Sequence, residues 1–241
     1  MTEYGDQYYE RQIESYRNKH PAQWRRINIF MEWLQPKSGE LVLETGSGQG
    51  IGTRELSRSD AKVIALDYES LAHRIACRFL KEEGVDLDRI FHVRGDLYNL
   101  SFSDNTFDAI NFSEVIEHLE TPDKALSELF RVLKPGGRLF LSTWPNLANL
   151  VWKYRYARGA GSKEDFNPHT PSRVKNSLAR TNFRITRFRL SNFYFTIPKI
   201  PWEISAINQD NPFTRLLEKS LGIPVWGAIM AESINALAVK P

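Results

Sequence analysis

Three carboxylates in this chain each follow an apolar run: Glu44 after Leu41-Val42-Leu43, Asp67 after Lys62-Val63-Ile64-Ala65-Leu66, and Asp96 soon after Ile90-Phe91-His92-Val93. The first leads into Gly46-Ser47-Gly48-Gln49-Gly50. Glycines strip such a turn of Cβ atoms, so the backbone can approach a ligand, and the free N–H groups at the start of the following helix face it. Acids at successive strand ends suit a ligand that offers hydroxyls and positive charge. Asp67 can accept from both hydroxyls of a ribose and Asp96 from an adenine amino group, while Glu44 can orient the loop or face an ammonium. A pyrophosphate would be repelled. The fingerprint G-x-G-x-x-G for a nicotinamide dinucleotide needs its third glycine at position 51, which is Ile51.

The elements that must position these groups follow from periodicity. Leu41–Leu43, Lys62–Leu66, Ile90–Val93, Phe107–Phe112 and Arg138–Ser142 are short, apolar and β-rich, and read as five parallel strands. Arg54–Ser57, Leu71–Glu83 and Asp123–Leu133 carry apolar residues at helical spacing, and Pro135-Gly136-Gly137 ends the last helix. The alternation predicts an α/β fold, a mostly parallel sheet covered by helices, with the acids at the carboxyl ends of strands where such sheets bind ligands. Residues 7–34 read as amphipathic helices broken at His20-Pro21, and 183–190 and 229–239 as further strands.

At these residues the chain resembles the class I S-adenosylmethionine-dependent methyltransferases, in particular the branch of ubiquinone and menaquinone biosynthesis enzymes. The resemblance spans about residues 38 to 145 and rests on ordered motifs: Glu44 to Gly50, Ala65-Leu66-Asp67, Gly95-Asp96-Leu97, Leu100 to Asp108, Glu114-Val115-Ile116-Glu117-His118-Leu119 and Arg131 to Gly137. It implies a Rossmann-like seven-stranded sheet with helices on both faces and an antiparallel last strand, and S-adenosylmethionine as cofactor. It also implies Glu44, Gly46 and Gly48 around the methionine end, Ser47 and Gly50 as further cofactor-binding residues of that loop, Asp67 on the ribose, Tyr68, Asp96 and Leu97 at the adenine, and Ser113 near the sulfonium. Thr45 and Ser47 depart from the usual small residues, and Asn182-Phe183 replaces a frequent Gly-Phe before the sixth strand, leaving that turn open.

Methyl transfer is an in-line displacement, so alignment and exclusion of water supply much of the acceleration. Methylation at oxygen is the favoured reading, and an oxygen or nitrogen acceptor also benefits from a base, for which His118 and His169 are the candidates. The plainer reading of His118 is a residue capping or packing a helix start; His169 falls in a loop expected over the acceptor. Acceptor choice is expected in the N-terminal helical cap (1–37) and in two substrate-side insertions (146–182 and 195–228) around the cofactor-binding core (38–145). Tyr8, Tyr9, Arg25 and Arg26 are candidates to close over the cofactor carboxylate.

Composition narrows the remaining classes. With 241 residues, 41% apolar, 25% charged and a net charge of +3, the chain is that of an ordinary globular protein able to bury a core without staples. The single cysteine, Cys77, reads as a packing residue, and no Cys or His cluster has zinc-site spacing. No apolar stretch reaches membrane-span length, and the N-terminus lacks a signal-peptide pattern, which places the expected location in the cytoplasm. Residues 151–200 hold eleven Lys or Arg against Glu164 and Asp165, a local charge of +9, with Trp152, Tyr154, Tyr156, Phe183 and Phe188 interleaved. Such a region can meet an anionic or lipid-like acceptor or a membrane surface; it can equally be a solvated basic face. Trp202, Phe213 and Trp226 suggest a lid over a bulky small-molecule or lipid-like acceptor, or simple packing onto the sheet. The absence of Asn-Pro-Pro-Tyr and Asp-Pro-Pro-Tyr motifs disfavours a nucleic-acid substrate. An NAD(P)-dependent oxidoreductase and a non-catalytic cofactor-binding regulator are the rivals; Ile51 and the lack of a Tyr-x-x-x-Lys pair count against the first.

Overall fold

The computed structural model describes residues 5–144, 167–193 and 231–241. In chain order the elements are α1 (Asp6–Arg17), α2 (Pro21–Leu34), β1 (Leu41–Thr45), α3 (Ile51–Leu56), β2 (Lys62–Asp67), α4 (Ser70–Glu82), β3 (Ile90–Arg94), β4 (Phe107–Ser113), a single 3-10 turn (Ile116–His118), α5 (Pro122–Val132), β5 (Leu133–Thr143), α6 (Pro171–Arg180), β6 (Arg184–Phe193) and β7 (Ala231–Val239). The seven strands form one sheet in the order β3-β2-β1-β4-β5-β7-β6. The first five are parallel, and β7 runs antiparallel between β5 and β6. This is the Rossmann-like arrangement with an antiparallel last strand that the motifs implied.

Strand residues alternate between two cores, as a period of two demands of a sheet covered on both faces. Leu43, Ile110 and Leu141 join the core shared with α5 and α6. Val42, Ala109, Phe140 and Leu237 join the one shared with α1 to α4. In α5, Ala125, Leu126, Leu129 and Val132 form the buried stripe, and Pro122 at the first turn uses an N–H position that needs no partner. The chain between Leu133 and Arg138 loops out of the ladder with β4, which shifts register there; Gly136 donates to Lys240 O at 2.8 Å and Lys240 to Gly137 O at 3.1 Å. The Pro-Gly-Gly stretch is therefore an excursion inside β5. Asn182 settles the open turn: it sits at φ 64°, the left-handed region that Asn tolerates better than most residues.

Two ties fix the N-terminal helices to the rest of the fold, the first at the amino ends of the parallel strands. Arg138 on β5 binds the C-terminal carbonyls of α2, bonding Leu34 O and, at 2.7 Å, Gln35 O, and it pairs with Glu40 at 2.6 Å. The Tyr16 hydroxyl of α1 donates to buried Glu55 on α3 at 2.7 Å. No helix among the described residues is long and apolar enough to cross a membrane. Trp152, Tyr154, Tyr156, Trp202, Phe213 and Trp226, with most of the two expected insertions, lie outside the described residues.

Candidate active site

A cavity of about 880 Å³ opens where β1, β2, β3 and β4 end and α1 and α2 cross above them. Its volume lies high in the range of about 300–1,000 Å³ typical of small-molecule sites. Glu44, Gly46, Ser47, Gly48, Asp67, Tyr68, Asp96, Leu97, Ser113 and His118 all line it. The glycine loop is shaped by what faces it. Gly46 is at φ 59°, and a Cβ there would come within 2.5 Å of Val115 Cγ2. Gly50 does not line the cavity; it is packed against α4, where an added Cβ would be 3.0 Å from Ala76 Cβ.

Asp67, 9% exposed, binds the loop to β2: its Oδ2 accepts from Gly48 N at 2.8 Å and its Oδ1 from Glu69 N at 2.9 Å. Each oxygen retains lone-pair capacity for a ligand hydroxyl. Asp96 stands exposed on the rim, its Oδ1 accepting from Tyr98 N at 2.9 Å, with Leu97 buried beside it. Tyr68 lies across from them, its exposed ring under the Arg94 guanidinium at 5.7 Å.

Glu44 is different. It is 4% exposed and accepts from the Thr53 hydroxyl and from the Asn111 side chain. Burial pushes its pKa up to about 8, with Asp67 adding to the rise. It is thus largely protonated at neutral pH, and an ammonium placed beside it would favour its charged form. A Cβ at Gly52 would land on its Oε1, so the carboxyl lies directly against α3. Gly52, two positions beyond the Gly46–Gly50 run, is a local signal of this close approach that the motif itself does not include. Ser47 Oγ is buried and has no hydrogen-bond partner among the described residues.

The other wall comes from α1, α2 and the turn after β4. Tyr8, Tyr9, Gln12, Gln23, Arg26, Ile27 and Phe30 line it, and Arg25 does not. Burial, and secondarily Asp67, holds the Tyr9 phenol well above its usual pKa, so it is a donor. Gln23 is 7% exposed; its Nε2 donates to Gln12 O at 3.4 Å, and its Oε1 has no partner among the described residues. Arg26 is committed to Glu114, which sits at φ 56°, a strained position for a residue that carries a Cβ. Neither Gln23 nor the Arg26–Glu114 pair carried a sequence signal, because each is brought to the wall by helix packing.

The two histidines separate. His118 lines the cavity, and burial lowers its pKa, leaving a neutral imidazole able to accept a proton. It lies in the Ile116–His118 turn and not at a helix start as expected, because Pro122 sets the first turn of α5 further on. His169 is 3% exposed, is absent from the cavity wall, and places Nε2 3.3 Å from Ile116 O. Its expected place over the acceptor is corrected: the imidazole fills space beneath the 116–118 turn. Among the described residues no group of three or more His, Cys, Asp or Glu is arranged to hold a metal ion.

Residues 43–141 match the family described as "Methyltransferase domain". A demethylmenaquinone methyltransferase from Thermobifida fusca is 34% identical over 124 residues, 52% of this chain and 51% of that protein. A ubiquinone/menaquinone biosynthesis C-methyltransferase from Roseobacter denitrificans is 36% identical over 131 residues, 53% of this chain and 51% of its own length. The chain thus spans about half the length of the curated relatives it matches. A crystal structure from Bacillus halodurans shares the fold, with a TM-score of 0.66 at 21% identity, covering 89% of this chain and 98% of that one.

Proposed function

We propose that this chain, whose residues 43–141 match a methyltransferase domain, transfers the methyl group of S-adenosylmethionine to a small, lipid-like acceptor bearing a ring hydroxyl. The observation that carries this reading is a continuous cavity that joins Glu44, Asp67 and Asp96 to the Ser113–His118 wall. The residues fit the cofactor: a loop cleared of Cβ atoms, a buried Ser47 hydroxyl without a partner among the described residues, and acids suited to hydroxyls and positive charge but not to phosphate. Bound there, the cofactor supplies an electrophilic methyl group on a sulfonium.

The chain's own residues do the rest. Glu44, Gly46, Ser47 and Gly48 would hold the methionine end, Asp67 the ribose, and Tyr68, Asp96 and Leu97 the adenine, with Gly50 acting through packing. Ser113, whose Oγ donates to Asn111 Oδ1 at 2.6 Å, presents a fixed polar wall beside the reacting groups. Ile27 and Phe30 exclude water from above. Neutral His118 takes the acceptor's hydroxyl proton as charge develops on the ring. The sequence favoured methylation at oxygen; the relatives' description as a C-methyltransferase supports carbon. Deprotonating a ring hydroxyl activates both the oxygen and the adjacent ring carbon, so the role of His118 is the same in either case.

The test is methyl transfer from radiolabelled S-adenosylmethionine to a panel of quinols, phenols, sugars and lipids, with the product atom located by mass spectrometry. Labelled quinol or phenol is the expected product. Tight binding of S-adenosylhomocysteine with no labelled product from the whole panel would support the non-catalytic rival. Binding of NADH in place of S-adenosylhomocysteine would support an oxidoreductase.

A further inference from the structure

Arginines over much of the molecule stand beside carboxylates. Arg17 reaches Glu82 at 2.9 Å, Arg58 reaches Glu55 at 3.1 Å, Arg131 reaches Glu128 at 2.8 Å and Arg138 reaches Glu40 at 2.6 Å, while Arg26 is held by Glu114. Residues 167–193, which form α6 and β6, break this pattern. They contain Arg173, Lys175, Arg180, Arg184, Arg187 and Arg189 and no Asp or Glu, in a chain whose total charge is only +3. Arg180 is paired with Asp123 at 2.7 Å. Arg173, Lys175, Arg184 and Arg187 are exposed and make no ion pair among the described residues.

The fold gathers these cations along one margin. β6 ends the strand order, beyond β7. Its Ile185, Phe188 and Leu190 pack onto the core shared with α5 and α6. Arg187 is in register with Leu237, which belongs to the opposite core, so it emerges on the other face. Lys175 of α6 covers the first face, its Nζ 4.3 Å from the centre of the Phe188 ring. Cations therefore flank the outer strand on both sides. Ten residues of strand extend over about 33 Å, more than one small anion can neutralise. Unpaired like charges repel one another, and a surface carrying many anionic groups relieves that cost. β6 runs antiparallel to β7, and β7 antiparallel to β5, so β6 points the same way as the five parallel strands. Its Phe193 end therefore lies at the end of the sheet where the cavity opens.

We propose that the α6–β6 margin is a docking surface for an anionic lipid bilayer, which sets the cavity's end of the sheet beside the layer that holds a lipid-like acceptor. The choice of lipid among polyanions rests on the acceptor class proposed above. A plane of anionic headgroups attracts each exposed Lys or Arg separately and needs no groove, which suits cations spread along a strand and a helix.

Cosedimentation of the full chain with vesicles tests this without cofactor or acceptor, so it gives its answer whether or not the methyl-transfer screen yields a product. Vesicles of equal parts phosphatidylglycerol and phosphatidylcholine should carry the chain down at low salt and release it at high salt, and phosphatidylcholine alone should not bind it. Combining Lys175→Gln, Arg184→Gln and Arg187→Gln should weaken binding about 10²-fold, about fivefold for each cation removed. The exposed Lys62, Arg74 and Lys81 on β2 and α4 provide the control: changing all three to Gln removes the same charge elsewhere and should alter binding less than about threefold. Equal losses in the two triple variants would reveal a response to net charge alone and overturn the proposal, as would equal binding to neutral vesicles. Combining Lys175→Arg, Arg184→Lys and Arg187→Lys keeps the charge and should bind as the wild type does; a loss there would assign the effect to packing and overturn it too. Retention on duplex DNA, with release from vesicles of equal phosphate content, would overturn the lipid assignment in favour of nucleic acid.

Discussion

The half of the cavity proposed to hold the cofactor and the half proposed to hold the acceptor are built on different principles. In the first, consecutive strand ends and the loop after β1 bind one another through the loop's backbone N–H groups, such as Gly48 N to Asp67 Oδ2 at 2.8 Å and Ser47 N to Leu66 O at 3.1 Å. In the second, groups apart in the chain meet through side chains: Arg26 with Glu114, Gln23 with the Gln12 carbonyl, Asn167 with the Leu119 carbonyl. A site made of backbone is preorganised and tolerates little variation. A site made of packed helices and returning segments can change its ligand without disturbing the sheet. The contrast teaches why the cofactor is so much more legible than its partner substrate.

That contrast can be broken by experiment. Once a substrate is in hand, His118→Ala should lower turnover by about 10²–10⁴-fold while leaving S-adenosylhomocysteine affinity unchanged; equal losses in both would mean the two halves are not separable. Asp67→Ala should do the converse, weakening S-adenosylhomocysteine binding by about 10²-fold in calorimetry, since it removes the proposed ribose partner and the Gly48 tie together. Thermal unfolding of the same variant checks that the sheet survives.

A third test uses pH. Glu44 and Glu117 have ordinary values of 4.5 and are each pushed up to about 8 in the fold. The folded chain therefore holds more protons than the unfolded one between those values. Their contribution to stability is full below about pH 4.5 and is lost as pH rises toward about 8, with a slope of about 1.4 kcal/mol per pH unit for each carboxyl. Denaturant titrations across this window should show Glu44→Gln and Glu117→Gln each flattening the slope by one such increment. The smallest effect belongs to Glu114, at φ 56°. Glu114→Gly should raise unfolding stability by about 1 kcal/mol by relieving strain, and lower turnover by leaving Arg26 without its partner. Unchanged turnover would show that the pair plays no part in the acceptor half.

Much of the architecture was legible because it is repetitive. Short continuous apolar runs in β1, β4 and β5 and the apolar stripe of α5 mark two-faced burial, and the break at His20-Pro21 coincides with the start of α2. The excursion within β5 was not legible as such: Pro-Gly-Gly signals a turn, but only pairing with Lys240 at the far end of the chain keeps it inside a strand. His169 misled because a histidine between two prolines looks like an exposed loop residue; nothing local records that its Nε2 meets Ile116 O.

What the amino-acid order determined alone was the sheet, the glycine turn and the acids at the strand tips, since all of these are set by neighbours within a few positions. What required the folded molecule was which imidazole faces the cavity, which arginine is already neutralised, and which buried carboxyls keep their protons. Those outcomes depend on solvent exclusion and on charges contributed by segments far away in the chain, and neither is written in any local pattern.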